Sequence, residues 1–224
     1  MDLRGRIDDV SGRIGDAARA AGREPADLTT IVVTKFHPAS LVRDLHALGV
    51  RDFGENRHQE ALGKSRDVAD LADLRWHFVG QLQSKKARQA RSYVAAVHSL
   101  DRASVVDALR ADDGTVIDGF VQINLTSDAA RGGVTEADLE PLVEHVLATS
   151  GILLRGVMAV APLDEEPRRA FERLRGLSDR VRSLAPEADR ISAGMSHDFA
   201  EAILEGATHL RIGTAITGNR PEPR

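Results

Sequence analysis

The sequence predicts an α/β fold, a (β/α)8 barrel of the TIM type preceded by one extra helix. Short apolar runs alternate with amphipathic segments along the whole chain, which is typical of parallel strands joined by helical crossovers. Eight such runs occur in 224 residues, about 28 residues per unit, and this number suits a closed barrel better than an open doubly wound sheet. The nucleotide-binding motifs G-x-G-x-x-G and G-x-x-x-x-G-K-[ST] are absent, although an open sheet stays the alternative.

The elements follow one another by a change in the period of the apolar residues. An N-terminal helix is predicted over Leu3–Ala21, where apolar positions recur at helical spacing and stop at Gly22. The first strand is Ile31–Thr34, a β-branched run that is too short for a helix. The other predicted strands are Val50–Phe53, Trp76–Val79, Val94–Ser99, Val116–Asn124, Ile152–Val160, Arg190–Ser192 and His209–Ile212. The segments between them predict helices at Ala39–Leu48, Asn56–Val68, Ser84–Ala90, Ala103–Ala111, Glu136–Thr149, Glu166–Leu184 and Asp198–Leu204.

The composition describes a single soluble domain that spans residues 1–224. Hydrophobic residues make up 42% and charged residues 29% of the chain, and no linker or low-complexity segment divides it. Because cysteine is absent, thiolate metal sites and thiol nucleophiles are excluded, and we expect no metal site. No apolar leader or membrane-spanning stretch occurs, so we expect a cytoplasmic protein without a membrane partner. The net charge of −4 and the lack of a basic patch argue against nucleic-acid binding.

A lysine directly follows the first predicted strand. In a (β/α)8 barrel the reactive groups lie at the C-terminal ends of the strands, and Lys35 stands at such an end, after four β-branched residues. Only four of the 30 basic residues are lysines, so its presence there calls for an explanation. Lys35 is either an ordinary lysine that extends its ammonium group into solvent, or a partly desolvated amine able to form a Schiff base with a carbonyl.

Three other strand ends carry candidate binding residues. Asn56 follows the second strand beside Gly54, and the alternative interpretation is that it caps the next helix. His77 lies in the third strand, where a histidine between aromatic residues is as often a hydrogen-bonded core residue. Met158 ends the sixth strand, where it either walls a ligand ring or fills the core.

The last two strand ends predict a phosphate site. Ser196 follows the seventh strand, and Gly213 and Thr214 follow the eighth, all next to predicted helix starts. Unpaired backbone N–H groups at these two places form the usual phosphate site of barrel enzymes, although two ordinary capped turns would look similar. A phosphate site opposite a lysine suits a phosphorylated carbonyl compound, and pyridoxal 5′-phosphate (PLP) fits that description.

Seven segments, in order along the chain, carry a resemblance to a known family. They are Val33-Thr34-Lys35, Phe53-Gly54-Glu55-Asn56 with Gln59-Glu60, Trp76-His77-Phe78-Val79-Gly80, Leu82-Gln83-Ser84-Lys85, Gly156-Val157-Met158, Gly194-Met195-Ser196 and Arg211-Ile212-Gly213-Thr214-Ala215-Ile216. The chain resembles, essentially end to end, the YggS/PROSC family of PLP-binding proteins, the PLP homeostasis proteins.

The resemblance implies a fold and a bound cofactor. The fold is that of the alanine racemase N-terminal domain, and PLP is bound covalently to Lys35. Phosphate contacts are implied for Ser196, Gly213 and Thr214, and Arg211 is implied to face the pyridine nitrogen. The chain departs from the family pattern at Arg57, Lys86 and Thr217-Gly218-Asn219, which concerns the pocket rim rather than the phosphate contacts.

The resemblance also implies a carrier rather than an enzyme. We expect a monomeric, non-catalytic protein that buffers or delivers PLP, with PLP-dependent apoenzymes as partners and effects on amino-acid and keto-acid metabolism. Two-base racemisation needs a tyrosine opposite the lysine, and the one tyrosine, Tyr93, begins the predicted fourth strand at its wrong end. The alternatives are a weak PLP-dependent racemase or lyase, with His77 as second base, and a barrel that binds another phosphate without covalent chemistry.

Overall fold

The computed structural model describes residues 1–128 and 130–219 and shows a closed barrel. Each strand pairs in parallel with the next, and the eighth pairs with the first, so the predicted (β/α)8 architecture is confirmed. The strands are β1 (Thr29–Val33), β2 (Asp52–Glu55), β3 (Arg75–Phe78), β4 (Ala96–Leu100), β5 (Ile117–Gln122), β6 (Ile152–Met158), β7 (Arg190–Ser192) and β8 (His209–Ile212). Residue 129 and residues 220–224 of the predicted domain lie outside the described residues.

Helices follow the strands and cover the barrel from outside. They are α1 (Leu3–Ala20), α2 (Ala39–Ala47), α3 (His58–Asp67), α4 (Ser84–Ala90), α5 (Ala103–Leu109), α6 (Leu139–Leu147), α7 (Pro167–Leu184), α8 (Phe199–Leu204) and α9 (Thr214–Thr217), with a 3-10 turn at Pro25–Asp27. The predicted extra N-terminal helix is α1, which packs against α8 and α9. No helix in the described part of the chain is long and apolar enough to cross a membrane.

Local sequence signals set the ends of the two longest helices. The Asp2 side chain accepts a hydrogen bond from the Gly5 N–H at 2.8 Å and so caps α1, which ends before Gly22 in the left-handed region (φ 67°). In α7, the Glu166 carboxylate accepts from two backbone N–H groups and Pro167 opens the first turn. Both helices therefore carry their boundaries in their own sequence.

Tertiary pairing shifts several of the predicted boundaries. The predicted helix Asn56–Val68 begins only at His58, because the chain stays extended beyond the end of β2 before it turns. The predicted strand Val116–Asn124 ends at Gln122, where the next residue, Ile123, makes one isolated bridge to Val134 instead of a ladder. Strand ends depend on partner strands, which a local pattern does not contain.

The barrel has an apolar outer layer and an unusually polar interior. Phe53, Phe78 and Leu174 are fully buried between the strands and the helices, and burying each such side chain stabilises the fold by roughly 1.5–3 kcal/mol. Inside the barrel, the rings of His98, Phe120 and His209 contact one another although they come from three different strands. Barrel interiors are more often filled by layers of branched aliphatic side chains.

One glycine permits close approach of two strands at this interior. Gly156 in β6 has φ 150°, and a Cβ atom there would lie 1.8 Å from the backbone oxygen of Arg190 in β7. Only glycine allows this contact. The position therefore requires glycine for the β6–β7 pairing.

Candidate functional site

The C-terminal mouth of the barrel holds a cavity of about 340 Å³ between the ends of β1, β7 and β8. Of the eight site residues predicted from the sequence, six line it: Lys35, Asn56, Ser196, Arg211, Gly213 and Thr214. A larger cavity of about 560 Å³ lies beside it and shares Asn56, but its other lining residues come from the start of α3 and from the stretch between the end of β3 and the first turn of α4. Because the predicted residues converge on the smaller cavity, we take that cavity as the candidate site.

Lys35 stands just past the end of β1, in a bent segment. Its side chain is exposed, and its ammonium group lies 5.9 Å from the centre of the Phe36 ring. Phe36 has φ 68°, in the left-handed region that residues with large side chains rarely adopt. Such a conformation costs of order 1–3 kcal/mol and persists only where surrounding contacts hold it. The backbone at Lys35 is therefore held by its neighbours.

Those neighbours form a buried charged group, which we name the Lys64 cluster: Thr34, Glu55, Glu60 and Lys64. The Lys64 ammonium donates to the Thr34 carbonyl oxygen at 2.7 Å, to Glu55 Oε1 at 2.7 Å and to Glu60 Oε1 at 2.8 Å. Glu60 Oε1 also accepts a hydrogen bond from the Phe36 backbone N–H. The Lys64 cluster thus holds both peptide groups that flank Lys35.

Burial of the Lys64 cluster disfavours the charged form of its carboxylate Glu55. Burial raises the pKa of Glu55, and the neighbouring Lys64 ammonium and the Thr34 hydroxyl oppose that rise. The Thr34 hydroxyl donates to Glu55 Oε1 at 2.7 Å, whereas no hydrogen-bond partner among the described residues reaches the buried Glu55 Oε2. Lys64 is therefore the main counter-charge of a buried carboxylate.

The Lys64 cluster is not predicted by the sequence patterns at the strand ends. Two signals were present in the sequence: the rarity of lysine, and the Glu60–Lys64 pair at i, i+4 spacing on a predicted helix. Neither signal shows that the pair turns inward toward β1, because that depends on how α3 packs against the barrel.

Asn56 lines the cavity and carries a side-chain oxygen without a hydrogen-bond partner among the described residues. This oxygen, Oδ1, is buried. Gly80 packs against the backbone at this point, since a Cβ at position 80 would lie 2.4 Å from the Asn56 carbonyl oxygen. A buried amide without a partner costs free energy, and a ligand that bonds it removes that cost.

Ser196, Gly213 and Thr214 form the opposite side of the cavity. Gly194 has φ 89°, and a Cβ there would lie 2.8 Å from the side chain of Ala202, so the turn after β7 requires glycine. The Ala215 N–H lies 3.5 Å from Ser196 Oγ, which brings the turn after β7 next to the first turn of α9. Two hydroxyl groups and the N-terminal turn of a helix therefore face one space.

Arg211 lies buried at the cavity, on β8. Its Nη1 donates to Ser192 Oγ at 2.7 Å and its Nη2 to the Ala159 carbonyl oxygen at 2.8 Å. Burial lowers the pKa of Arg211 to about 10, although the nearby Asp198 carboxylate acts in the opposite direction. The guanidinium therefore stays charged at neutral pH.

His77 and Met158, the other two predicted site residues, do not line the cavity. His77 is the third residue of β3, and its Nε2 lies 2.9 Å from Asp52 Oδ1 at the start of β2, which directs the ring toward the N-terminal half of the barrel. Met158 is fully buried at the end of β6. The cavity also includes Met195 and His197, which follow the seventh strand and are not among the predicted site residues.

The chain is similar to known proteins in both sequence and fold. Residues 18–221 match the family model of the alanine racemase N-terminal domain. The pyridoxal phosphate homeostasis protein of Pseudomonas aeruginosa is 43% identical, with 94% of this chain and 93% of that protein covered. The Escherichia coli protein of the same name is 34% identical, with 98% and 97% covered.

Solved structures show the same fold. PipY of Synechococcus elongatus, solved without PLP, superposes with a TM-score of 0.85 at 32% identity and covers 97% of this chain and 100% of its own. The form of PipY with PLP bound gives a TM-score of 0.81 at 31% identity. Alanine racemase of Corynebacterium glutamicum, 18% identical with a TM-score of 0.73, shares the fold over 96% of this chain and 62% of its own. The chain therefore belongs to the family of pyridoxal phosphate homeostasis proteins, whose fold is that of the alanine racemase N-terminal domain.

Proposed function

We propose that this protein binds PLP at the cavity between β1, β7 and β8 and serves intracellular PLP homeostasis by buffering or delivering the cofactor. Through PLP supply it would affect amino-acid and keto-acid metabolism. One observation carries the proposal: a primary amine, a buried guanidinium and two hydroxyl groups, from Lys35, Arg211, Ser196 and Thr214, surround one cavity of about 340 Å³. The relatives that carry the same family name, and the PLP-bound form of PipY, support it.

The residues present fit the cofactor. Ser196, Gly213 and Thr214 offer donors to a phosphate group. The buried Asn56 Oδ1, which has no partner among the described residues, offers an acceptor for a ligand hydroxyl. Apolar side chains, among them Val33 and Val160, line the space between and suit an aromatic ring.

In this proposal Lys35 would hold the cofactor covalently: its amine nitrogen would bond the carbonyl carbon of PLP, and the carbonyl oxygen would leave as water. When bound, PLP supplies an electron-withdrawing pyridine ring. Lys35 is solvent-exposed, so the amine is accessible from the mouth of the barrel. The Lys64 cluster keeps the backbone at Lys35 in its bent conformation and so directs the amine.

Arg211 keeps the bound cofactor unreactive in this proposal. A guanidinium only donates hydrogen bonds and does not give up its proton at neutral pH, so a pyridine nitrogen that faces it stays unprotonated. An unprotonated pyridine is a weaker electron sink, and carbanion chemistry is disfavoured. This favours a carrier over an enzyme.

The position of Tyr93 also argues against a racemase. Tyr93 lies before β4, at the N-terminal side of the barrel, and its hydroxyl lies 3.2 Å from His58 Nδ1. His197 is the imidazole that lines the cavity, so a weak racemase or lyase would use it rather than the predicted His77. Exchange of the α-proton of L-alanine into deuterated water, at a rate comparable to that of a dedicated racemase, would favour the enzyme.

Further parts of the proposal concern partners and state. We propose that the chain acts as one monomeric, cytoplasmic domain and that it hands PLP to PLP-dependent apoenzymes. The predicted contact of Met158 with the cofactor stays a prediction. These statements rest on the resemblance described above.

Reduction of the PLP-loaded protein with borohydride tests the covalent site, because it fixes the cofactor mass on the peptide that holds it. We expect the mass on the peptide that contains Lys35, and Lys35→Ala should abolish it together with the visible absorbance of the bound cofactor. Lys85→Ala, which removes another exposed lysine, is the matched control and should keep both signals. Label on a different lysine in the wild type would remove Lys35 from this role.

A further inference from the structure

A continuous hydrogen-bonded chain of side chains crosses the barrel interior, from its N-terminal face to the cavity. We name it the interior chain: Asp52, His77, His98, Ser192 and Arg211. From the cavity inward, Arg211 Nη1 lies 2.7 Å from Ser192 Oγ, and Ser192 Oγ lies 2.8 Å from His98 Nδ1. His98 Nε2 lies 2.9 Å from His77 Nδ1, and His77 Nε2 lies 2.9 Å from Asp52 Oδ1.

The far end of the interior chain reaches the surface. Arg75 at the start of β3 donates from Nε and Nη2 to the two oxygens of Asp52, at 2.7 and 2.5 Å. Burial acts to raise the pKa of Asp52, but the hydrogen bonds from Arg75 and His77 outweigh it and hold the pKa well below its usual range. Asp52 is therefore a carboxylate that accepts hydrogen bonds only.

The direction of every hydrogen bond in the interior chain follows from the Arg211 end. A guanidinium only donates, so Ser192 Oγ accepts from Arg211. The hydroxyl proton of Ser192 then needs an acceptor, and His98 Nδ1 is its other partner. His98 must therefore carry its own proton on Nε2 and donate it to His77 Nδ1.

The same logic continues to Asp52. With its Nδ1 accepting, a neutral His77 carries its proton on Nε2 and donates it to Asp52 Oδ1, which is an acceptor as required. If the hydrogen bonds ran in the opposite direction, Arg211 and His98 would both donate to Ser192 Oγ. The buried hydroxyl proton of Ser192 would then have no acceptor within the interior chain. Only one arrangement of protons satisfies all five groups.

The packing around His98 supports a neutral ring. The ring stacks on Phe120 with centroids 4.3 Å apart, and burial together with the neighbouring His77, His209 and Arg211 lowers the pKa of His98 well below its usual value. A charged His98 would have to donate from both nitrogens, which the Ser192 and His77 contacts do not allow in this direction.

We propose that the interior chain positions Arg211 toward the pyridine nitrogen of PLP. Because His98 takes the Ser192 proton, a lone pair of Ser192 Oγ is always free to accept from Arg211, and the guanidinium is held in one orientation at the cavity. Asp52, His77, His98 and Ser192 are then positioning residues that touch no cofactor atom. The inference rests on the proposed PLP site and extends it to the opposite end of the barrel.

Nitrogen NMR of the apo protein tests the proton arrangement without any cofactor. In long-range proton–nitrogen correlation spectra, assigned with single His→Gln variants, we expect both His77 and His98 to carry their proton on Nε2. A proton on Nδ1 of His98, or two protons on His77, would overturn the inference even if PLP binds.

A serine pair tests the effect on the cofactor. Ser192→Ala removes one of the two acceptors of Arg211, the Ser192 oxygen, and we expect the dissociation constant of PLP to rise about tenfold or more. His98 and His77 should keep their Nε2 protons in this variant, because Asp52 still accepts from His77. Ser99→Ala is the matched control, because Ser99 follows His98 in β4 and its buried hydroxyl has no partner among the described residues. Ser99→Ala should change neither the dissociation constant of PLP nor the tautomers of His77 and His98.

The outcomes separate the two proposals. An unchanged PLP dissociation constant in a folded Ser192→Ala variant, checked by circular dichroism, would show that the interior chain does not position Arg211, while the PLP site would stand. If the wild-type protein bound no PLP, the proposed function would be wrong, and the proposed role of the interior chain would be wrong with it.

Discussion

The Lys64 cluster and the interior chain are two buried polar networks that bury charge in opposite ways. In the Lys64 cluster one ammonium contacts two carboxylates directly, at 2.7 and 2.8 Å. In the interior chain the guanidinium of Arg211 and the carboxylate of Asp52 are separated by one hydroxyl and two neutral imidazoles. The first network therefore depends on charge pairing and the second on proton direction.

The two networks also act on different parts of the candidate site. The Lys64 cluster holds the backbone on both sides of Lys35, so its function is mechanical. Among the described residues, the interior chain reaches the cavity through one of its own members, Arg211. A change in the Lys64 cluster should thus destabilise the fold, whereas a change in the interior chain should alter the site with a smaller cost in stability.

Lys64→Met should give the largest effect, because it removes the ammonium and leaves Glu55 buried without its main partner. Breaking a buried ion pair in this way costs about 3–5 kcal/mol of unfolding free energy. Urea unfolding measures the loss. Lys85→Met, at an exposed lysine, is the control and should stay within about 0.5 kcal/mol of the wild type. A loss of unfolding free energy under about 1 kcal/mol for Lys64→Met would show that charge pairing in the Lys64 cluster does not stabilise the fold.

The pH dependence of stability should differ in sign between a buried histidine of the barrel interior and the Lys64 cluster. Beside the interior chain, burial lowers the pKa of His209 to about 3, whereas an unfolded histidine titrates near 6.5. The unfolded state therefore binds a proton first, and stability is lost as the pH falls from about 6.5 toward about 3, by up to about 1.4 kcal/mol per pH unit for this group. Glu55 contributes with the opposite sign. Because burial raises its pKa, the folded state holds the Glu55 proton to higher pH than the unfolded state does, and this contribution to stability is lost as the pH rises.

Variants resolve the two contributions in unfolding curves recorded across this pH range. His209→Gln should flatten the loss of stability toward acid, and Glu55→Gln should make that loss steeper, because it removes the group that favours low pH. His197→Gln, at an exposed histidine, serves as control. An unchanged slope in His209→Gln would contradict the assignment of His209 as a buried neutral ring.

The smallest effect is expected at the surface end of the interior chain. The Arg75 side chain is 59% exposed, so its pair with Asp52 should contribute at most about 1 kcal/mol, and less in high salt. In Arg75→Ala the tautomers of His77 and His98 should persist, because Asp52 still accepts from His77. Unfolding at two salt concentrations measures the first expectation and nitrogen NMR the second. A loss above about 2 kcal/mol would mean that Asp52 depends on Arg75.

Much of the fold could be predicted from local patterns in the sequence. The alternation of apolar runs and amphipathic segments predicted the barrel, and the strand-end position of Lys35 predicted its place at the mouth. Six of the eight predicted residues line one cavity. His77 does not, because it is the third residue of a four-residue strand and its ring meets Asp52 near the N-terminal end.

The order of the elements and the residue types at each strand end follow from local sequence, since periodicity and turn residues act over a few positions. The pairing of the buried polar groups depends instead on the packing of the whole barrel. His98 contacts Ser192 across 94 residues of sequence, and Lys64 contacts the Thr34 carbonyl across 30. Such contacts arise because barrel closure brings distant strands together around one interior, where each buried donor must find an acceptor.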